Sequence, residues 1–210
     1  MVACGLLMLS LLPACGQGLK PVDAARQQQM VSKINQTAAG IRSIACSFTQ
    51  VKTLQFLDDK LTSTGRMLFK ADGGRLRWEY QRPYQYTFIL NGDKVHIVSA
   101  HNKQTIDVKQ SRLFQGIAEV MMNSVTGKGL TTSSDFACTM YTAGDEWVAR
   151  LTPKGKAMKR LFREIRLHVG AQRQMVTKVE MTEQTGDTTV ITLKDVKTNG
   201  QIDEKMFAAQ

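Results

Sequence analysis

The chain has 210 residues, a net charge of +10, and 42% hydrophobic and 7% aromatic residues, which fits one globular domain or at most two small ones. With 22% charged residues, 16 glycines, 4 prolines and no compositionally simple segment, the disordered, collagen-like and coiled-coil classes are excluded.

The stretch 1–18 carries no charge and holds the apolar run Gly5-Leu-Leu-Met-Leu-Ser-Leu-Leu12, followed by Pro13-Ala-Cys-Gly16. Too short to span a bilayer, it reads as the apolar part of a secretory signal with small residues behind it. The basic residues that usually come first are missing, as they would be were the true start upstream. The expected organisation is a signal segment over 1–18 and one exported, soluble domain over 19–210. Leu12-Pro-Ala-Cys15 also approaches a lipobox, whose cysteine is acylated, although proline two residues before that cysteine is unusual. Anchoring through Cys15 is therefore the alternative to cleavage near Gly16 or Gly18. Cleavage leaves Cys46 and Cys138. In an oxidising compartment a disulfide between them would close a long loop, worth about 4 to 5 kcal/mol by chain entropy. Two buried free thiols are the other reading.

Over Pro21–Arg42, Val31, Ile34, Ala38 and Ile41 recur at helical spacing, which predicts an amphipathic helix ending near Gly40. From Cys46 the composition turns strand-like, with Phe48, Val51 and Leu54 among Thr, Gln and Ser. Asp58-Asp59 reads as a solvated turn. In Arg75–Gln81 the alternation is strict, with Leu76, Trp78 and Tyr80 on one face and Arg75, Arg77 and Glu79 on the other. Tyr86–Leu90 and Lys94–Ser99 flank Asn91-Gly-Asp93, a hairpin signal. A further strand is expected at Ile106–Lys109, after a polar turn at His101–Gln104. Leu113–Val125 reads as a second helix with a wide apolar stripe, Leu113, Ile117, Val120, Met121 and Met122, ended by Gly127 and Gly129. Strand signals resume at Phe136–Tyr141, Glu146–Pro153, Arg163–Val169, Val176–Glu183 and Thr188–Val196. Many strands on short turns predict a large curved antiparallel sheet or barrel with two helices inserted.

No catalytic constellation survives inspection. There is no Gly-x-Ser-x-Gly, phosphate loop or Cys-x-x-Cys, and His96, His101 and His168 lack metal-ligand spacing. The chain is expected to be a binding protein without cofactor or metal rather than an enzyme. A lipid hydrolase would need a nucleophile and base, and no such pair can be named. The positive charge is concentrated in Leu151–Lys178, where Lys154, Lys156, Lys159, Arg160, Arg163, Arg166, Arg173 and Lys178 face the single acid Glu164. Without the aromatic-rich motifs of nucleic-acid modules, nucleic acid is not the expected partner. Anionic headgroups or an acidic partner fit an exported chain better, and a solvated strand face is the plain alternative.

Several segments together resemble the LolA family of periplasmic lipoprotein carriers. Cys46-Ser-Phe-Thr-Gln50 is similar to the family's early Phe-x-Gln strand. Gly65-Arg-Met-Leu-Phe-Lys70, Leu76-Arg-Trp-Glu-Tyr80 and Pro83 resemble its glycine-strand and Arg-Trp-x-Tyr-x-x-Pro block, and Leu90–Val95 the hairpin that follows. Leu161–Leu167, Gly186–Leu193, Asn199 and Phe207 resemble the C-terminal strands with their closing Asn and Phe. The Arg-Pro found in some carriers between the glycine strand and the Trp block is replaced here by Ala71-Asp-Gly-Gly74, so no lid-latching arginine is assigned.

The resemblance implies an α+β fold, an unclosed (half) antiparallel β-barrel whose apolar inner face is covered by a helical lid. It implies a periplasmic chaperone for lipoprotein acyl chains, acting as a monomer between an inner-membrane releasing transporter and an outer-membrane acceptor. By position in the motifs, Phe69, Leu76, Trp78, Tyr80, Phe88, Leu90 and Ile97 would line the inner wall. Ile117, Val120, Met121 and Met122 would belong to the lid, where methionine's adaptable side chain suits varied chains. Plain packing is the alternative role for each. Two other functions stay open: a membrane-anchored acceptor of the same fold, resembling LolB, if Cys15 is acylated, and a general lipid or lipopolysaccharide-binding module that uses the basic stretch.

Overall fold

The computed structural model describes residues 18–57, 59–110, 130 and 136–208. Twelve strands are present among them: β1 Lys20–Pro21, β2 Ser43–Leu54, β3 Asp59–Lys70, β4 Arg75–Arg82, β5 Tyr86–Asn91, β6 Lys94–Ser99, β7 Lys103–Asp107, β8 Phe136–Ala143, β9 Glu146–Pro153, β10 Phe162–Gly170, β11 Met175–Glu183 and β12 Thr188–Thr198. Two helices accompany them, α1 over Ala24–Ala39 and α2 over Lys156–Leu161. The second predicted helix, with Ile117, Val120, Met121 and Met122, lies outside the described residues.

Helix α1 is shorter than its apolar spacing suggested, because both ends are capped. Asp23 accepts a hydrogen bond from the Arg26 amide at 2.8 Å, and the Gly40 amide turns back to Thr37 O at 3.0 Å. The spacing still sets its face: Met30, Val31, Ile34 and Ala38 are the buried positions.

All strands join one antiparallel sheet in the order β1-β8-β9-β10-β11-β12-β2-β3-β4-β5-β6-β7. Two meanders, β2 to β7 and β8 to β12, are joined where β12 pairs with β2, and the outer strands β1 and β7 are not paired to each other. The sheet is therefore an unclosed barrel. Gly92, in the β5–β6 turn, holds φ at 59°, a conformation glycine adopts without penalty. The sequence placed the next strand too late: pairing with β6 runs over Lys103–Asp107, and Val108–Gln110 then forms a 3-10 turn. The turn is fixed by the Val108 amide on Asp93 O and the Lys109 amide on Asp107 Oδ1.

Residues directly opposite in an antiparallel ladder share a face, so register defines the inner surface. One row runs Ile44, Phe69, Leu76, Leu90, Val95, Ile106 across six strands. The next runs Cys46, Met67, Trp78, Phe88, Ile97. In the other half, Met140, Ala149, Leu167, Val179 and Ile191 form a matching row. Met30, Val31 and Ile34 of α1 belong to the same buried cluster, so α1 covers this face.

Two devices finish the edges and ends. The Gln27 side chain donates to Cys138 O at 3.4 Å and accepts from the Met140 amide at 3.0 Å, occupying backbone groups of β8 beyond its short pairing with β1. Asn199, at φ 60°, accepts from the Arg42 amide at 2.7 Å and donates to Gly40 O at 3.1 Å, tying the end of β12 to the end of α1. Beyond it the tail crosses the outer face of β4 and β5. There Arg77 donates to Met206 O at 3.1 Å, Asn91 donates to Phe207 O at 3.3 Å, and the Phe207 side chain is buried.

Candidate functional site

The inner face is a concave apolar surface formed by the unclosed sheet. The structure brings all seven predicted wall residues to it. Phe69, Leu76, Trp78 and Leu90 are buried, while Tyr80, Phe88 and Ile97 are half-buried. Sequence reasoning missed Phe48 and Met67 on the same side and the opposite wall, including Met140, Trp147, Leu151, Ile165 and Leu167, all buried. Its signal was present in the alternations Trp147-Val-Ala-Arg-Leu151 and Ile165-Arg-Leu-His-Val169, but nothing local says that these strands face β4.

An aromatic group lies toward one end. Phe48 contacts Trp78 at 4.4 Å between centroids and meets Tyr80 edge-on at 5.2 Å, and Tyr80 stacks on Tyr86 at 4.3 Å. The Tyr80 hydroxyl donates to Gln50 Oε1 at 2.8 Å, and burial, reinforced by Tyr86, pushes its pKa above the ordinary tyrosine value. Tyr80 is therefore a neutral donor over the physiological range. The Trp78 indole N–H is buried, with the Tyr80 hydroxyl as its polar neighbour. Past this group a cavity of about 440 Å³ opens between β2–β5 and β10–β12, lined by Leu61, Tyr84, Tyr86, Phe162 and Met181 among others. Lys52 and Glu183 pair across it at 2.9 Å. Such a wall could bury an extended apolar ligand, and Gln50, Lys52, Ser63, Glu183 and Thr189 supply polar groups to the cavity lining.

Cys46 and Cys138 are free thiols on the inner face, with four strands of the sheet between theirs. Burial pushes Cys46 up to about 12, with Asp195 adding to the effect, and burial pushes Cys138 up to about 11, so neither is a reactive thiolate. His168 lies on the outer face between Glu146 at 3.0 Å and Glu180 at 3.2 Å, and His96 contacts Thr105 at 2.9 Å. Among the described residues no cluster could hold a metal ion.

The predicted basic patch is divided. Lys156, Lys159 and Arg160 lie on α2, a short helix unforeseen in the sequence, and Lys154 just precedes it; all four are exposed. Arg163 is exposed and donates to Gln184 O at 2.8 Å. Arg166 is drawn away into an ion-paired ladder on the outer face of β9–β11, where Glu164 binds both Arg166 and Arg150. Strand alternation turns Arg166 toward those carboxylates, so it does not extend the α2 cluster.

The family model described as outer membrane lipoprotein carrier protein LolA matches residues 39–210. Proteins named outer-membrane lipoprotein carrier protein are similar along most of the chain. The one from Chromohalobacter salexigens is 25% identical over 89% of this chain and 85% of its own length, and the one from Pseudomonas paraeruginosa is 27% identical over 88% and 83%. Among solved structures, a chain of the Pseudomonas aeruginosa MucA/MucB complex matches with TM-score 0.53 and 11% identity, over 88% of this chain and 61% of that one, so this chain spans about six-tenths of its length. An uncharacterized conserved protein of Thermus thermophilus matches with TM-score 0.53 and 7% identity, over 87% and 93%. At these identities the structural matches speak for the fold alone, the open antiparallel barrel described above. With a family model covering the sheet from β2 to its C-terminal tail, and carriers matching along most of the chain, this protein belongs to the LolA family of outer membrane lipoprotein carrier proteins.

Proposed function

We propose that the protein is an exported periplasmic carrier that buries the acyl chains of lipoproteins against the inner face and moves them from the inner to the outer membrane. In this reading residues 1–18 are the export signal and 19–210 the carrier domain. An inner-membrane releasing transporter supplies the cargo and an outer-membrane acceptor receives it. The observation that carries the reading is the continuous apolar inner face of an unclosed sheet, open at one end into the 440 Å³ cavity.

The energetics call for such a surface. Each buried CH₂ is worth about 0.8 kcal/mol, so a sixteen-carbon chain free in water costs on the order of 12 kcal/mol. A carrier that spends no nucleotide must shield that chain and still release it to a tighter acceptor. An unclosed barrel suits reversible burial, since its two edge strands are not held to each other. Phe69, Leu76, Trp78, Tyr80, Phe88, Leu90 and Ile97 form the wall in this proposal, with Ile117, Val120, Met121 and Met122 as lid residues. The role is binding, not catalysis.

The test is displacement of a fluorescent acyl probe by an acylated lipopeptide, compared with the same peptide unacylated. Displacement by the acylated form alone supports the carrier. Absence of probe binding, or equal displacement by both peptides, overturns it. An intact N-terminal mass separates cleavage from acylation at Cys15.

A further inference from the structure

The rim at the open end carries two features for which a cargo-holding interior has no use. At the tip of the β2–β3 hairpin Phe56 is 97% exposed and Leu57 65%. Large apolar side chains held out in water at a convex tip contribute nothing to folding and mark a contact surface. Close by, Lys154, Lys156, Lys159 and Arg160 all reach solvent, and among the described residues none has an ion-pair partner.

These features are joined through the β11–β12 turn. On one side the Gln184 amide donates to Leu161 O at 3.0 Å, and its side chain donates to Lys159 O at 2.8 Å and Phe162 O at 3.0 Å, fixing α2. On the other side Asp187 accepts the Gln55 amide at 3.0 Å, fixing the residue before Phe56. The neighbouring acids are engaged: Glu183 pairs with Lys52, Asp187 binds Gln55, and Asp59 accepts the Lys60 amide. The α2 cations keep their charge available.

We propose that this rim is a docking surface for a bilayer with anionic headgroups, Phe56 and Leu57 entering the boundary between headgroups and acyl chains while Lys154, Lys156, Lys159 and Arg160 sit against the phosphates. A bilayer accepts any protruding apolar tip, whereas an acidic protein would need a pocket shaped for Phe56 and Leu57 beside its carboxylates. Docking this way points the mouth of the barrel at the membrane. The inference stands whatever the interior carries.

The experiment is co-sedimentation of the full chain with vesicles of phosphatidylcholine, alone and with phosphatidylglycerol added, no lipoprotein being present. Binding should rise with phosphatidylglycerol and fall with salt. The triple variant Lys156→Gln, Lys159→Gln, Arg160→Gln should bind about a hundredfold more weakly, each cation near the surface contributing on the order of a fivefold factor. The double variant Phe56→Ser, Leu57→Ser should weaken binding to both vesicle types. None of the five residues is buried, so the variants should keep the parent's melting curve, and the apolar residues 1–18 are common to every form. Binding indifferent to phosphatidylglycerol, or a triple variant that binds like the parent, overturns the proposal. So does a tip variant that binds like the parent, which would assign the α2 cations to an acidic protein instead.

Discussion

Phe48 and Gly65 stand opposite each other in the β2–β3 ladder, and the ring lies where a Gly65 side chain would be. A Cβ on Gly65 would come within 2.6 Å of Phe48 Cζ and 2.0 Å of Glu79 O. The second contact is with backbone and cannot be relieved by a rotamer change. Gly65→Ala is expected to cost about 1 to 3 kcal/mol through overpacking and to lower Tm by several degrees in calorimetry. Because Phe48 rests on Trp78, the tryptophan emission should shift as well; an unchanged Tm and spectrum would mean that the strands yield freely here.

The wall residues differ in what substitution can reveal. Leu76 is fully buried and Trp78 is 5% exposed, so a carboxylate at either position is a folding defect before it is a binding one. Phe88 and Ile97 are only half-buried on the same face. Phe88→Ala and Ile97→Ala are predicted to reduce acyl-probe affinity at least severalfold while leaving cooperative unfolding intact. Large stability losses with unchanged probe affinity would assign both to packing.

Acid stability should depend on Glu79. Burial raises its pKa, but hydrogen bonds from Arg66 at 3.0 Å and Arg77 at 2.9 Å outweigh burial and hold it below the usual carboxylate value. A depressed carboxylate contributes stability that is fully present above its unfolded pKa, about 4.3, and is lost as pH falls through the folded value. Glu79→Gln is therefore expected to cost on the order of 1 to 2 kcal/mol at pH 7 and progressively less below pH 4. Urea midpoints at pH 7 and pH 3 would check this, and an equal loss at both would show that the charge is not what matters.

The thiols give a covalent readout of burial. Cys46 and Cys138, raised to about 12 and about 11 respectively, should resist iodoacetamide in the folded protein at pH 8 and alkylate completely in denaturant without reductant. Peptide mapping locates the label. Residues still unlabelled after denaturation would mean that the two cysteines are bonded in the isolated protein.

The sequence disclosed what repeats locally. Alternation in Arg75–Gln81 set the two faces of β4, Asn91-Gly-Asp93 set a hairpin, and the 3-4 spacing of α1 set its covered side. Where the signal was weak, the reading failed. The exposed first half of β3, Asp59-Lys-Leu-Thr62, has no apolar period, and Lys156-Ala-Met-Lys-Arg-Leu161 is too short for helical spacing to stand out from a basic run. Which strands oppose β4 across the barrel is a matter of curvature and of the β12–β2 pairing, neither of which is written in any short window. The position of Phe207 on the outer face has the same origin, since it depends on where the last strand ends.

The seam between β12 and β2 also dictates an order of events. β2 has β3 on one side within a short hairpin, but its other neighbour is the last strand in the chain, and the Arg42 to Asn199 bond spans 157 positions. A chain threaded N-terminus first through a ribosome or a translocase must hold β2 with one flank bare until nearly its last residues emerge. The loop closed by that final pairing is long, so its closure carries a large entropic cost. Until it closes, the half-formed apolar face lies open to any passing hydrophobe, so the nascent protein itself is the first client that needs shielding.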